Sequence, residues 1–186
     1  MKEFIAVILF LSVSVSGTVS ADDLQRNEVY YGSKTVSKDE LIDKLKPHHE
    51  QKPAAKTRSI ALIGQEEPPK SQPTVISFNI KFDYNSYQIS PDAKAQIHEL
   101  GLALNSEELE DMKFVVEGHT DAAGGEDYNL ELSRKRAQAI KDYLIHAYNI
   151  DVNRLLSTGK GEYELMDTEH PTSSINRRVS IYSISE

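Results

Sequence analysis

Between Val75 and Asp83 the chain reads Val-Ile-Ser-Phe-Asn-Ile-Lys-Phe-Asp, and Ile76, Phe78, Ile80 and Phe82 fall on one side of an extended backbone. A period of two predicts a half-buried β-strand. The period then changes. Ser90-Pro91 is an N-cap followed by proline at the first helical position, and Ala93, Ile97, Leu100 and Leu104 recur at helical spacing. Lys113 to Glu117 is a second strand, 118–127 a loop with Gly124-Gly125, and 128–148 a long helix ended near Asn149. A short strand at 154–158, a loop containing Pro171 and a last strand at 177–184 complete the pattern. The order βαβαβ…β predicts an α+β fold, a mixed sheet with helices packed on one face.

Ahead of Thr74 the pattern weakens. Residues 22–72 read as a lead segment outside the folded unit, because four of the seven prolines fall between Pro53 and Pro73. Within it, Ser37-Lys38-Asp39-Glu40 is a capping box, and Leu41, Ile42 and Leu45 form a stripe before Pro47. This predicts a short helix near 38–46. Ser59 to Ile63 is a candidate strand. The segment is too short for even an eight-stranded outer-membrane barrel. Residues 1–21 read as a secretory signal peptide: Phe4 to Val13 is apolar, and Val19-Ser20-Ala21 fits a small-x-small cleavage site before Asp22. That apolar core is short of the ~20 residues needed to span a bilayer.

Composition narrows the chemistry. The net charge is −8, which disfavours generic binding to nucleic acid or anionic membranes. There is no cysteine, so disulfides, thiol catalysis, Cys-based zinc sites and an acylated N-terminal cysteine are excluded. Export of such a chain suggests a bacterial periplasmic protein.

One helix carries a misplaced charge. On a wheel of residues 129–147, Glu131, Arg134, Lys135, Gln138 and Asp142 share a solvated side, while Ala137, Ile140, Leu144 and Ala147 lie opposite as core. Arg136 falls between Leu132 and Ile140, inside or beside the apolar arc, and Asn129 points the same way. A charge so placed needs a partner. One answer is a buried acid tying helix to sheet. The other is a pocket where its planar fork takes a carboxylate. Asp121, at a strand end before a Gly-rich loop, is either a turn residue bonding its own backbone or a binding residue. His119 reads as a structural histidine. The histidines lack metal-ligand spacing, and there is no G-x-S-x-G or nucleophile–base arrangement, so neither a metal site nor an enzyme is expected.

Residues 75–182 resemble the OmpA-like C-terminal domain, the peptidoglycan-associating module of Gram-negative envelopes. The matching pieces are Phe82-Asp83-Tyr84-Asn85-Ser86, Glu117-Gly118-His119-Thr120-Asp121, Tyr128-Asn129, Leu132-Ser133-Arg134-Lys135-Arg136-Ala137, Gly159-Lys160-Gly161-Glu162 and Asn176-Arg177-Arg178-Val179. The resemblance implies a two-layer sandwich spanning 73–186 and non-covalent binding of the diaminopimelate in the peptidoglycan stem peptide, without a cofactor. It implies that Asp121 accepts the ligand's ammonium and Arg136 clamps its carboxylate. Asp83 and Asn85 would border the pocket, and Asn129 and Arg177 would complete it. Ala122 and Ala123 depart from the family's polar residues after Thr-Asp. A second reading makes the chain an interaction subunit of an envelope assembly, docking a protein partner through residues 22–72.

Overall fold

Two strand–helix–strand units lie side by side, and the last strand of the chain is inserted between them. The computed structural model describes residues 27–47, 73–82 and 86–184. The first unit is β1 (Asn27–Gly32), α1 (Lys38–Leu45) and β2 (Thr74–Phe78). Helix α2 (Pro91–Leu104) leads to the second: β3 (Lys113–His119), α3 (Glu126–Tyr148) and β4 (Leu155–Gly161). β5 (Val179–Ile184) comes last in sequence and lies in the middle of the sheet, whose order is β1-β2-β5-β3-β4. β1 is parallel to β2 and β3 to β4, as expected of neighbouring strands joined through a helix. β5 runs antiparallel to β2 and β3. The fold is the mixed-sheet α+β architecture that the patterning predicts.

The helices start where their caps direct. The Ser37 hydroxyl accepts the Glu40 amide at 3.4 Å, and Ser90 accepts that of Ala93 at 3.4 Å with Pro91 in the first turn. α3 ends on Asn149, whose φ of 55° is left-handed. Ile76 and Phe78 of β2, Phe114 and Val116 of β3, and Val179 and Ile181 of β5 form the sheet side of the core. Leu41, Leu45, Ile97, Leu104, Ile140 and Leu144 form the helix side. Each such side chain contributes roughly 1.5–3 kcal/mol by leaving water. Ala147, placed in the core by the wheel, is exposed.

Two differences from the sequence reading have physical causes. The strand expected over 75–83 stops at Phe78, with only an isolated bridge between Phe82 and Ile89 beyond it. All five residues of β2 are buried instead of alternating, because β1 and β5 flank it and its polar Ser77 is hydrogen-bonded to Glu28 and Ser180. The second difference is that residues 27–47, expected in a lead outside the fold, build into it. β1 is an edge strand, and the α1 stripe of Leu41, Ile42 and Leu45 packs into the common core. The stripe is legible in sequence, whereas the α2 surface that receives it is not. The Ser59–Ile63 strand and the signal peptide lie outside the described residues.

Candidate functional site

Two glycines seat α3 against the sheet. A methyl group on Gly118 would stand 2.2 Å from the Ser133 carbonyl oxygen, and one on Gly159 2.4 Å from the Arg134 amide nitrogen. Only glycine permits backbones to approach so closely. Ser133 fastens the contact, donating to the Leu130 carbonyl at 2.7 Å and accepting the Gly161 amide at 2.9 Å. The C-terminal ends of β3 and β4, the entry to β5 and the first turns of α3 thereby share one edge of the sheet.

Two buried asparagines shape that edge. Asn129, only 2% exposed, donates its amide to the carbonyls of Asp121 and Ala123 at 3.3 and 3.2 Å and to the Glu162 carboxylate at 2.5 Å. It holds the 121–123 turn to the start of α3. Asn176, fully buried, donates to the carbonyls of Asp167, His170 and Pro171 and accepts the Asp167 amide at 2.8 Å. The loop it folds returns to the site, where the Pro171 carbonyl accepts the Ala122 amide at 3.0 Å.

Asp121 stands just beyond β3, 9% exposed. One carboxylate oxygen accepts Nη1 of Arg177 at 2.5 Å, and the other accepts the Ala123 amide at 3.3 Å. The register explains the ion pair: Gly118 opposes Val179, so the residues just past these strand ends meet. Arg136 is half-buried on α3. Its Nε donates to the Ser86 carbonyl at 3.2 Å, and its guanidinium lies 4.8 Å from the centroid of Phe82. Among the described residues no carboxylate is within ion-pair distance of it. Burial lowers the Arg136 pKa from the ordinary arginine value. Tyr128 and Asp121 oppose that shift, while Arg177 pushes in the same direction. The two arginines and Asp121 thus sense one another at the loop edge.

The sequence-derived residues are therefore distributed as follows. Asp121, Arg136 and Arg177 come together. Asn129 is close by, but its amide is spent on the loop and Glu162. Asp83 and Asn85 lie outside the described residues, next in the chain to Phe82 and Ser86, which hold Arg136. Asp121 takes Arg177 as its partner, an ion pair absent from the sequence reading. Glu162 and Asn176 as loop supports were also missed. Both stand in recognisable motifs, but nothing in spacing alone shows which carbonyls a side chain reaches.

The helix-free face of the sheet carries a second polar system. Arg178 Nε donates to Glu28 of β1 at 2.8 Å, and its Nη1 donates to the Glu164 carbonyl at 3.0 Å. Glu117, 1% exposed, accepts the Tyr182 hydroxyl at 3.0 Å and faces the Lys160 ammonium at 3.7 Å. Glu117, His119 and Glu164 offer the one donor group among the described residues tight enough for a metal ion. Lys160 reaches Glu164 at 2.6 Å, so a built-in cation already serves its acids.

Comparison with known proteins follows the same outline. The OmpA family pattern matches residues 81–178. Outer membrane porin F of Pseudomonas aeruginosa is 32% identical over 107 residues, 56% of this chain and 30% of that protein. Outer membrane protein A of Klebsiella aerogenes is 36% identical over 84 residues, 45% of this chain and 24% of that protein. The chain thus spans under a third of these relatives. Outer membrane protein A of Bordetella avium aligns over 97% of this chain and 94% of its own length, at 26% identity. Among solved structures, the OmpA-like domain of FopA1 from Francisella tularensis superposes with a TM-score of 0.50 at 23% identity, over 59% of this chain and 70% of that one. The periplasmic domain of Helicobacter pylori MotB gives 0.50 at 18% identity, over 60% and 82%. At these identities the two structures speak to the fold alone.

Proposed function

The chain belongs to the OmpA family, and from that premise we propose that it binds peptidoglycan non-covalently through the free end of diaminopimelate in the stem peptide. The observation that carries this reading is Arg136: a half-buried guanidinium at the loop edge, with no carboxylate partner among the described residues. A desolvated cation held by one carbonyl and an aromatic face is ready to receive a ligand carboxylate by two parallel hydrogen bonds. Asp121 supplies the opposite charge for the ligand's ammonium. It is held by Arg177 in the free protein, so the ammonium shares or takes over that contact. No bond is made or broken, and the function is binding without catalysis.

The names of the relatives are those of outer membrane proteins. We place this chain in the periplasm, associated with the cell wall, with a mature N-terminus at or near Asp22. Intact-mass measurement on a periplasmic extract checks that boundary, and a membrane-bound species retaining Met1 contradicts it. The binding reading is tested by co-sedimentation with purified diaminopimelate-containing sacculi. Wild type pellets with sacculi, and Arg136→Ala remains in the supernatant with an unchanged circular dichroism spectrum. Undiminished pelleting of the folded variant overturns the reading.

A further inference from the structure

Arg177 and Arg178 are consecutive, yet their side chains serve different parts of the molecule. Arg177 meets Asp121 at the loop edge, and its side chain is 47% exposed, so little packing holds it in place. Arg178 is 4% exposed on the helix-free face, where its Nε donates to Glu28 at 2.8 Å and its Nη1 to the Glu164 carbonyl at 3.0 Å. The backbone of the pair is tied at both ends. The Arg177 amide donates to the Ser174 carbonyl at 3.2 Å, and the Arg178 carbonyl accepts the His119 amide at 2.9 Å, at the end of β3 from which Asp121 follows. An exposed side chain goes where its backbone aims it, so the anchoring of Arg178 aims Arg177. Glu28 is the acid in that anchor. It lies on β1, 150 residues away in the chain and outside the matched residues 81–178. The Ser77 hydroxyl donates to the same Glu28 oxygen and fixes the carboxylate in turn.

We propose that Glu28 is a positioning residue for the peptidoglycan site: through Arg178 it fixes the short run of chain that holds Arg177 against Asp121. This rests on the peptidoglycan reading above. A buried guanidinium deprived of its carboxylate is costly, and it gains by turning toward water. Arg177, one peptide bond away, moves with that turn. Asp121 then loses the bond that orients its carboxylate toward the ligand's ammonium. A binding geometry is only as exact as the residues that support it. In this way β1, at one edge of the sheet, acts on a site built from β3, β5 and α3.

The test measures calorimetric affinity for a soluble stem tripeptide ending in diaminopimelate. Wild type, Glu28→Gln, Arg177→Ala and the double variant are compared at a temperature where circular dichroism shows each fully folded. Glu28→Gln keeps the size of the side chain and removes its charge. It weakens binding about fivefold, a usual size for coupling through a network of contacts. Arg177→Ala weakens binding at least as much, and the double variant binds as Arg177→Ala does, because an effect exerted through Arg177 vanishes once that side chain is gone. A Glu28 that served the fold alone would lower the melting temperature and leave the affinity of the folded protein unchanged, and that result overturns the inference. A Glu28→Gln effect that persists in full in the Arg177→Ala background overturns it too. Arg136→Ala separates the two levels: binding by wild type and its loss in Arg136→Ala support the peptidoglycan reading whatever Glu28 does. Failure of wild type to bind the tripeptide overturns that reading and this inference with it.

Discussion

Arg136 and Asn176 show how differently two polar side chains in one domain are used. Arg136 has a carbonyl and an aromatic face for company, and its removal leaves no buried group stranded among the described residues. Binding to sacculi therefore falls more than tenfold in Arg136→Ala, since only ~1.4 kcal/mol is needed for that, while the thermal midpoint barely moves. Arg136→Lys also fails to bind, because an ammonium cannot present the two-pronged fork. Asn176 is the reverse case. Its side chain serves three carbonyls and one amide in a fully buried setting. Asn176→Ala strands several of these, at about 1–3 kcal/mol for each group left unsatisfied. Urea denaturation should show a large fall in stability, and the loop through Pro171 should become susceptible to protease. An unchanged urea midpoint would contradict the role given to this residue.

At the scale of elements, α3 is positioned by what β3 and β4 lack. A methyl group on Gly118 would meet backbone, which cannot swing aside as a flexible side chain can. Gly118→Ala should destabilise the protein by at least ~1–3 kcal/mol, the ordinary cost of overpacking. It should also weaken sacculus binding, because Asn129 and Arg136 ride on the displaced helix. Binding unchanged beside a clear loss of stability would show that helix seating and site geometry are independent. β1 makes a second test. Glu28 faces Arg178, whose side chain is 4% exposed. Glu28→Ala leaves that guanidinium, among the described residues, with only the Glu164 carbonyl and should cost about 3 kcal/mol. That is the lower part of the range for a severed buried pair, since Glu28 keeps some contact with water.

For the whole molecule, the decisive fact is that β5 is last in the chain and central in the sheet. Among the described residues it is the only strand that links the two strand–helix–strand units through backbone hydrogen bonds. The core cannot close until β5 has arrived, and a chain ending at Arg178 should fail to fold. The other end matters as well. A fragment of residues 73–186 loses β1, the α1 stripe and the partner of Arg178. It should unfold at lower urea than the full chain, and an equal midpoint would show that the first unit is dispensable. The family match begins at residue 81, after β1, α1 and β2. These elements therefore complete this chain's sheet from outside the matched region.

The sequence by itself determined the three helices and the strands from β2 to β5, but not β1. Serine caps, the Ser90-Pro91 step, periods of two and 3.6 residues and the asparagine end of α3 act within a few residues of one another. The α+β class follows from their order. The direction of Arg136 was legible for the same reason, as a charge on the apolar arc of one helix. Tertiary structure alone decided who meets whom. That β1 joins β2, that Asp121 takes Arg177, and that Asn129 and Asn176 spend their amides on loops all depend on contacts between distant parts of the chain. The 56-residue separation of Asp121 and Arg177 leaves no local signal. Only the antiparallel register of β3 and β5 brings the two strand ends, and hence the two charges, to one place.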